Sequence, residues 1–166
     1  MDHVELLTQI EAQYMFKNLR YNNAASLTYR RYGRTAYSLR LTDKIERYEN
    51  LISNPGLEGG DESIDDTLRD AINYVFMFMG DLSAGCTTPE DTSNIDWTLK
   101  YIRKYAKYTP KTIEQRASTF AGWLKDNGYS LSEAIYHMGQ NRIEEIPTYG
   151  IFACYLIKLY LDRKEE

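Results

Sequence analysis

Residues 61–82 read DESIDDTLRDAINYVFMFMGDL, and this stretch decides the fold class. Wound at about 100° per residue, it separates into two faces. Ile64, Leu68, Ala71, Ile72, Val75 and Met79 share an apolar sector wide enough to dock on a helical core. Glu62, Asp66, Asp70 and Asn73 share a polar sector of roughly 80°, spaced i, i+4, i+8 and i+11. Like charges four apart destabilise an isolated helix by about 0.2–0.5 kcal/mol per pair, so the column calls for compensation. Two readings stay open. The column is a solvated acidic face near a helix N-terminus, where carboxylates suit the macrodipole, or it meets a divalent cation or a basic neighbour.

The preceding segment bears on that choice. Thr35–Ser53 reads as a helix with Tyr37, Leu41, Ile45, Tyr48 and Ile52 as its apolar stripe. Arg40, Lys44 and Arg47 line the edge of that stripe at i, i+4 and i+7. Asn54-Pro55-Gly56 stops the helix and Glu58-Gly59-Gly60 completes a short link. Helices joined by so short a link usually lie antiparallel, which sets the basic edge opposite the acidic column. The bland outcome is a set of interhelical salt bridges. The functional one has the acids holding a metal and the bases holding the phosphates of a ligand between them.

Upstream, Val4–Leu19 reads as a helix with Val4, Leu7, Ile10, Tyr14 and Leu19 near one face and the cations Lys17 and Arg20 late in it. Residues 16–35, FKNLRYNNAASLTYRRYGRT, read as an irregular connector broken at Asn22-Asn23 and Gly33. Its basic groups, tyrosines and amides suit recognition of a phosphate and a base. Equally, its arginines can serve as partners for acids elsewhere.

Residues 83–94, SAGCTTPEDTSN, form a polar loop and the best internal boundary. Beyond it the chain is helical again. Asp96–Tyr108 carries Trp97, Leu99, Tyr101, Ile102 and Tyr105. Thr109-Pro110 is an N-cap followed by proline at the first helical position, and that helix runs to Asp126-Asn127-Gly128. Ser130 and Glu133 have capping-box spacing for a short helix through Met138. Pro147 restarts the chain, and Ile151–Leu161 reads as a buried terminal helix. No strand alternation or internal repeat is visible. The expectation is an all-α bundle of six to seven helices, with residues 1–82 as core and 83–166 as a helical extension packed on it.

Composition narrows the function classes. The 166 residues carry a net charge of −4, which argues against broad affinity for nucleic acid while leaving room for a local phosphate-binding patch. Fifteen tyrosines exceed what one small bundle hides and point to a homodimer or another protein partner. Cys86 and Cys154 frame neither a zinc site nor a disulfide scaffold. No apolar run reaches spanning length, so the expected setting is soluble and cytoplasmic, away from membrane. His137 beside a helix end reads as structural. Nucleophilic side chains have no visible base partner, and Gly59-Gly60 is too short for a phosphate loop. Any chemistry rests on carboxylates and basic residues borne by helices.

Three marks, FKN-x-RYNNA…YRRYG, LRLTDKIERYENL and DESIDDTLRDAINY, resemble the nucleotide-modification-associated domain of the first type. That family is common in phages and stands near the MazG-like all-α NTP pyrophosphatases. The marks cover roughly residues 16–82. The resemblance implies a Mg²⁺-dependent hydrolase of a nucleoside or deoxynucleoside triphosphate, with Mn²⁺ as an alternative ion. It makes Glu62, Asp66 and Asp70 metal ligands and catalytic groups, and it makes Lys17, Asn18, Arg40, Lys44, Arg47, Asn73 and Tyr74 substrate contacts. Two departures stand out. Residues 17–23 replace an aspartate and a glycine of the family's first mark, and the helix before the acidic one carries Lys44 and Arg47 where MazG-type enzymes place an E-x-x-E pair. The reading from a different class is a non-catalytic factor that binds a nucleotide or a host protein.

Overall fold

The computed structural model describes residues 1–57, 61–140 and 145–165, and the side chains of all of these except 61–63. Eight helices carry the described chain: α1 His3–Tyr21, α2 Ala24–Tyr32, α3 Thr35–Ser53, α4 Asp61–Ala84, α5 Ser93–Ala106, α6 Pro110–Asn127, α7 Leu131–Gln140 and α8 Glu145–Lys164. No strand occurs among the described residues, so the all-α expectation stands. No helix there is long and apolar enough to cross a membrane.

Helix α4 is the axis of the bundle. All six residues of its expected apolar sector are buried, and Phe76 and Phe78 are buried as well. From Ala71 to Asp81 only Tyr74 and Met77 keep partial exposure. A helix that is apolar nearly all round must be enclosed, and α3, α5 and α8 enclose this one. Around that axis α6 packs on α8, α7 on α3, and α1 on α5. One continuous core therefore draws on both halves of the chain. At residue 80 the α4–α5 approach is so tight that a Cβ there would stand 2.1 Å from Thr98 Oγ1.

Local signals set most helix ends. Thr109 accepts a hydrogen bond from the Thr112 backbone N–H at 3.1 Å, with Pro110 opening α6. The Ser130–Glu133 capping box is reciprocal, each side chain bonding the other's backbone N–H at 3.2 Å. Gly128 closes α6 in the left-handed region. Pro147 lies in the first turn of α8, where it removes no intrahelical hydrogen bond, so the helix begins before it at Glu145. Buried Asp65 near the start of α4 receives Arg163 Nε at 3.3 Å and Lys164 Nζ, which fixes the end of α8.

Three expectations need correction. The connector over 16–35 is mostly helix: α1 continues to Tyr21, Asn22 and Asn23 turn the chain with positive φ, and α2 follows. Helix α2 has no apolar stripe to betray it, since Ser26 is its buried residue. Polar ties hold it instead. Asn23 and Asn94 exchange amide hydrogen bonds of 2.9 and 3.1 Å, and Arg30 donates to the carbonyl of Thr88 and to Asn94. On α3, Leu51 rather than Ile52 is buried. On α1 the buried register runs His3, Leu6, Leu7, Ile10 and Tyr14, which leaves Val4 and Leu19 exposed.

Candidate functional site

Two helix faces meet at one cavity of about 380 Å³. Helix α1 contributes Tyr14, Lys17, Asn18 and Tyr21, and α4 contributes Asp70, Asn73, Tyr74 and Met77. Each set is spaced i, i+3, i+4 and i+7, the spacing of a single helical face. Arg40 reaches in from α3, while Ala24 and Ala25 of α2 keep the remaining wall low. The gap exists because α1 packs mainly on α5 and touches α4 only sparingly. Its volume falls within the usual range for small-molecule sites.

Charge at the mouth is organised around Asp70. Lys17 Nζ lies 3.1 Å from its Oδ1, and Lys44 Nζ lies 3.1 Å from its Oδ2. Arg40 lies over the Tyr74 ring at 5.7 Å from its centroid, with a long 3.5 Å contact to the Tyr74 hydroxyl. One carboxylate thus faces three cations, a balance that favours an arriving anion. Deeper in, Tyr14 is nearly sealed from solvent, and burial pushes its phenol up to about 12, so it stays a neutral wall.

Asn73 is the most informative group in the cavity. It is 8% exposed, and its Oδ1 has no hydrogen-bond partner. Buried carboxamides are ordinarily satisfied, because leaving one unpaired costs about 1–3 kcal/mol. Asn73 lines the cavity, and a small rotation of its carboxamide would turn this buried acceptor toward a ligand that brings a donor.

Lys17, Asn18, Arg40, Asp70, Asn73 and Tyr74 come together at the cavity. Lys44 stands behind its wall, bonded to Asp70. Arg47 lines a separate depression with Asp43, Glu46 and Asn50. Asp66 is exposed and bonds Arg69 Nη2 at 3.0 Å on its own helix. The Glu62 side chain lies outside the described residues. Tyr14, Tyr21 and Met77 went unnamed from sequence, although each sits three or four residues from one that was named.

Among the described residues, the donors at the cavity do not fit a magnesium cage as arranged. Mg²⁺ takes near-octahedral oxygen ligands, commonly one or two carboxylates plus water and phosphate. The cavity offers one described carboxylate, and ammonium groups occupy both of its oxygens. No group of three or more metal-ligating acids, histidines or cysteines occurs among the described residues. Comparison with protein-family models, with curated proteins and with solved structures finds no match to this chain.

Proposed function

We propose that the protein binds a nucleotide, or a ligand built like one from a planar ring and a phosphate, in the cavity between α1, α3 and α4. The observation that carries this reading is one cavity that brings Lys17 and Arg40 together with the side chains of Asn18 and Asn73, the latter with a buried oxygen that has no partner. Tyr21 and Tyr74 offer faces for a planar group, and Lys17 and Arg40 offer charge for a phosphate. The resemblance to nucleotide-handling proteins points the same way. Binding that sequesters or senses the ligand needs no further group, whereas hydrolysis would require Asp70 to exchange its lysines for a metal.

The test is a panel of nucleoside mono-, di- and triphosphates, read by thermal shift and phosphate release together, with and without Mg²⁺ or Mn²⁺. A true ligand at a hundred times its Kd adds about 2.7 kcal/mol of stability. We expect stabilisation that does not depend on the metal, with no phosphate or pyrophosphate released. A panel in which nothing stabilises the protein rejects the reading. Metal-dependent pyrophosphate release, abolished in Asp70→Asn, replaces it with the hydrolase reading.

A further inference from the structure

Charge is distributed very unevenly along this acidic chain. Residues 97–111, WTLKYIRKYAKYTPK, hold five of its twenty Lys and Arg residues and none of its twenty-four Asp and Glu residues. The structure gathers four of the five around one groove of about 640 Å³, lined by Lys100, Arg103, Lys104 and Lys107 with Leu99 and Tyr108. Asp96 is the one carboxylate among the described lining residues. Arg103 is already committed to Glu11, its Nε 2.7 Å from Oε1. The cations left facing solvent are lysines, and all three are exposed.

We propose that this face of α5 binds the phosphate backbone of a single-stranded nucleic acid. Lys100, Lys104 and Lys107 stand one turn apart, about 5–6 Å between Cβ atoms, close to the separation of successive phosphates on an extended strand. Lysine is a point-charge donor that meets a phosphate from any side, whereas carboxylate recognition favours the arginine fork. The only arginine in the row is the one already paired. At the row's edge, Trp97 and Tyr101 lie partly exposed with ring centroids 6.2 Å apart, and Lys100 Nζ is 4.5 Å over the Trp97 ring. Aromatic faces beside a cationic track are how unpaired bases are held without sequence preference. A lipid surface fits less well, since none of the exposed large apolar side chains lies on α5. The nucleotide cavity is lined by other residues, so this surface stands or falls separately.

The probe is a fluorescein-labelled oligothymidylate of about twenty nucleotides, followed by anisotropy with the full chain. Three phosphate contacts on a single strand predict a log–log salt slope near −2, or roughly a ten- to thirty-fold loss between 50 and 200 mM salt. Lys104→Glu with Lys107→Glu should weaken binding at least tenfold. Arg31→Glu with Lys125→Glu changes net charge equally on other helices and should stay within twofold of wild type. Lys104→Gln with Lys107→Gln gives the same ordering if charge reversal harms folding. Equal affinity in the wild type and both Lys104/Lys107 variants overturns the proposal, as does no binding at 50 mM salt. Polyglutamate or phosphatidylserine vesicles binding as tightly as the oligonucleotide overturn it too.

Discussion

Lys44 Nζ stands 3.1 Å from Asp70 Oδ2, an ion pair that joins α3 to α4 just behind the wall of the cavity. Lys17 Nζ takes the other oxygen at the same distance, so the carboxylate is shared between two elements of the rim. Both pairs are partly exposed, and such pairs contribute about 0–1 kcal/mol each. Their larger effect is on what else the lysines can hold. An incoming phosphate competes with Asp70 for the Lys17 ammonium group, the one of the two that lines the cavity. Asp70→Asn should therefore tighten inorganic pyrophosphate binding by about three- to tenfold, equivalent to about 0.6–1.4 kcal/mol, with little change in melting temperature. Isothermal titration reads it directly. Weaker binding in the variant would mean that Asp70 contacts the ligand itself or through a cation.

Asn73→Leu separates ligand binding from folding. The substitution removes a buried acceptor that has no partner and fills nearly the same space with an apolar side chain. An acceptor buried without a partner costs about 1–3 kcal/mol of desolvation, which the apolar replacement does not incur. Thermal unfolding should show a midpoint unchanged or raised by up to about 4 °C. Ligand affinity should fall about tenfold, since a hydrogen bond to a desolvated amide is lost. A clear loss of stability instead would show that Asn73 is a structural amide with a partner in solution.

The reach of sequence reasoning follows from which forces leave a periodic trace. Apolar burial does, and the core-facing side of α4 was legible because Ile64 through Met79 recur at helical spacing, while the enclosure of Asn73, Phe76 and Phe78 on its other sides was not. Side-chain caps do as well, as Thr109, Ser130 and Glu133 show. Helix α2 left no such trace, because a serine, two asparagines and an arginine fix it through long-range hydrogen bonds. At the site, the acidic column was visible but its fate was not. Asp65, outside the column, is buried, while Asp66 inside it points to solvent and bonds Arg69. Which carboxylate meets which cation depends on how α1 and α8 dock, and the spacing within α4 carries no record of that.

Gly80→Ala tests the α4–α5 crossing. A Cβ at this position would lie 2.1 Å from Thr98 Oγ1 and 2.9 Å from the Thr98 backbone nitrogen. A hydroxyl can rotate away but a helix backbone cannot, so the two helices must separate. Overpacking of this kind costs about 1–3 kcal/mol, which corresponds to a melting temperature lower by about 2–12 °C. Adding Thr98→Ala removes the hydroxyl and leaves the backbone conflict, so the double variant should recover only part of the loss. Complete recovery would place the whole clash on the hydroxyl and leave the helix spacing unaffected.

Asp81, on the buried C-terminal part of α4, accepts hydrogen bonds from Ser26 Oγ and from the Tyr37 hydroxyl, each at 2.5 Å. Burial pushes its carboxyl above the usual range, against the opposing pull of the two hydroxyls and the charge of Arg30. Its proton is then bound more tightly in the folded state than in the unfolded one. The stabilisation this gives is complete below the ordinary carboxylate value near 3.9 and is lost as pH rises through the raised folded value. Asp81→Asn removes the titration and keeps the contacts, because serine and tyrosine hydroxyls can donate or accept. Urea unfolding of both proteins from pH 4 to 7.5 should show the stability of wild type minus variant falling with pH. The slope within the window is at most about 1.4 kcal/mol per pH unit. Ser26→Ala removes a donor that favours the charged form, so it should extend the window to higher pH. A wild-type-minus-variant difference that stays flat across the range would mean that Asp81 titrates alike in both states, and the buried-carboxylate account would then be wrong.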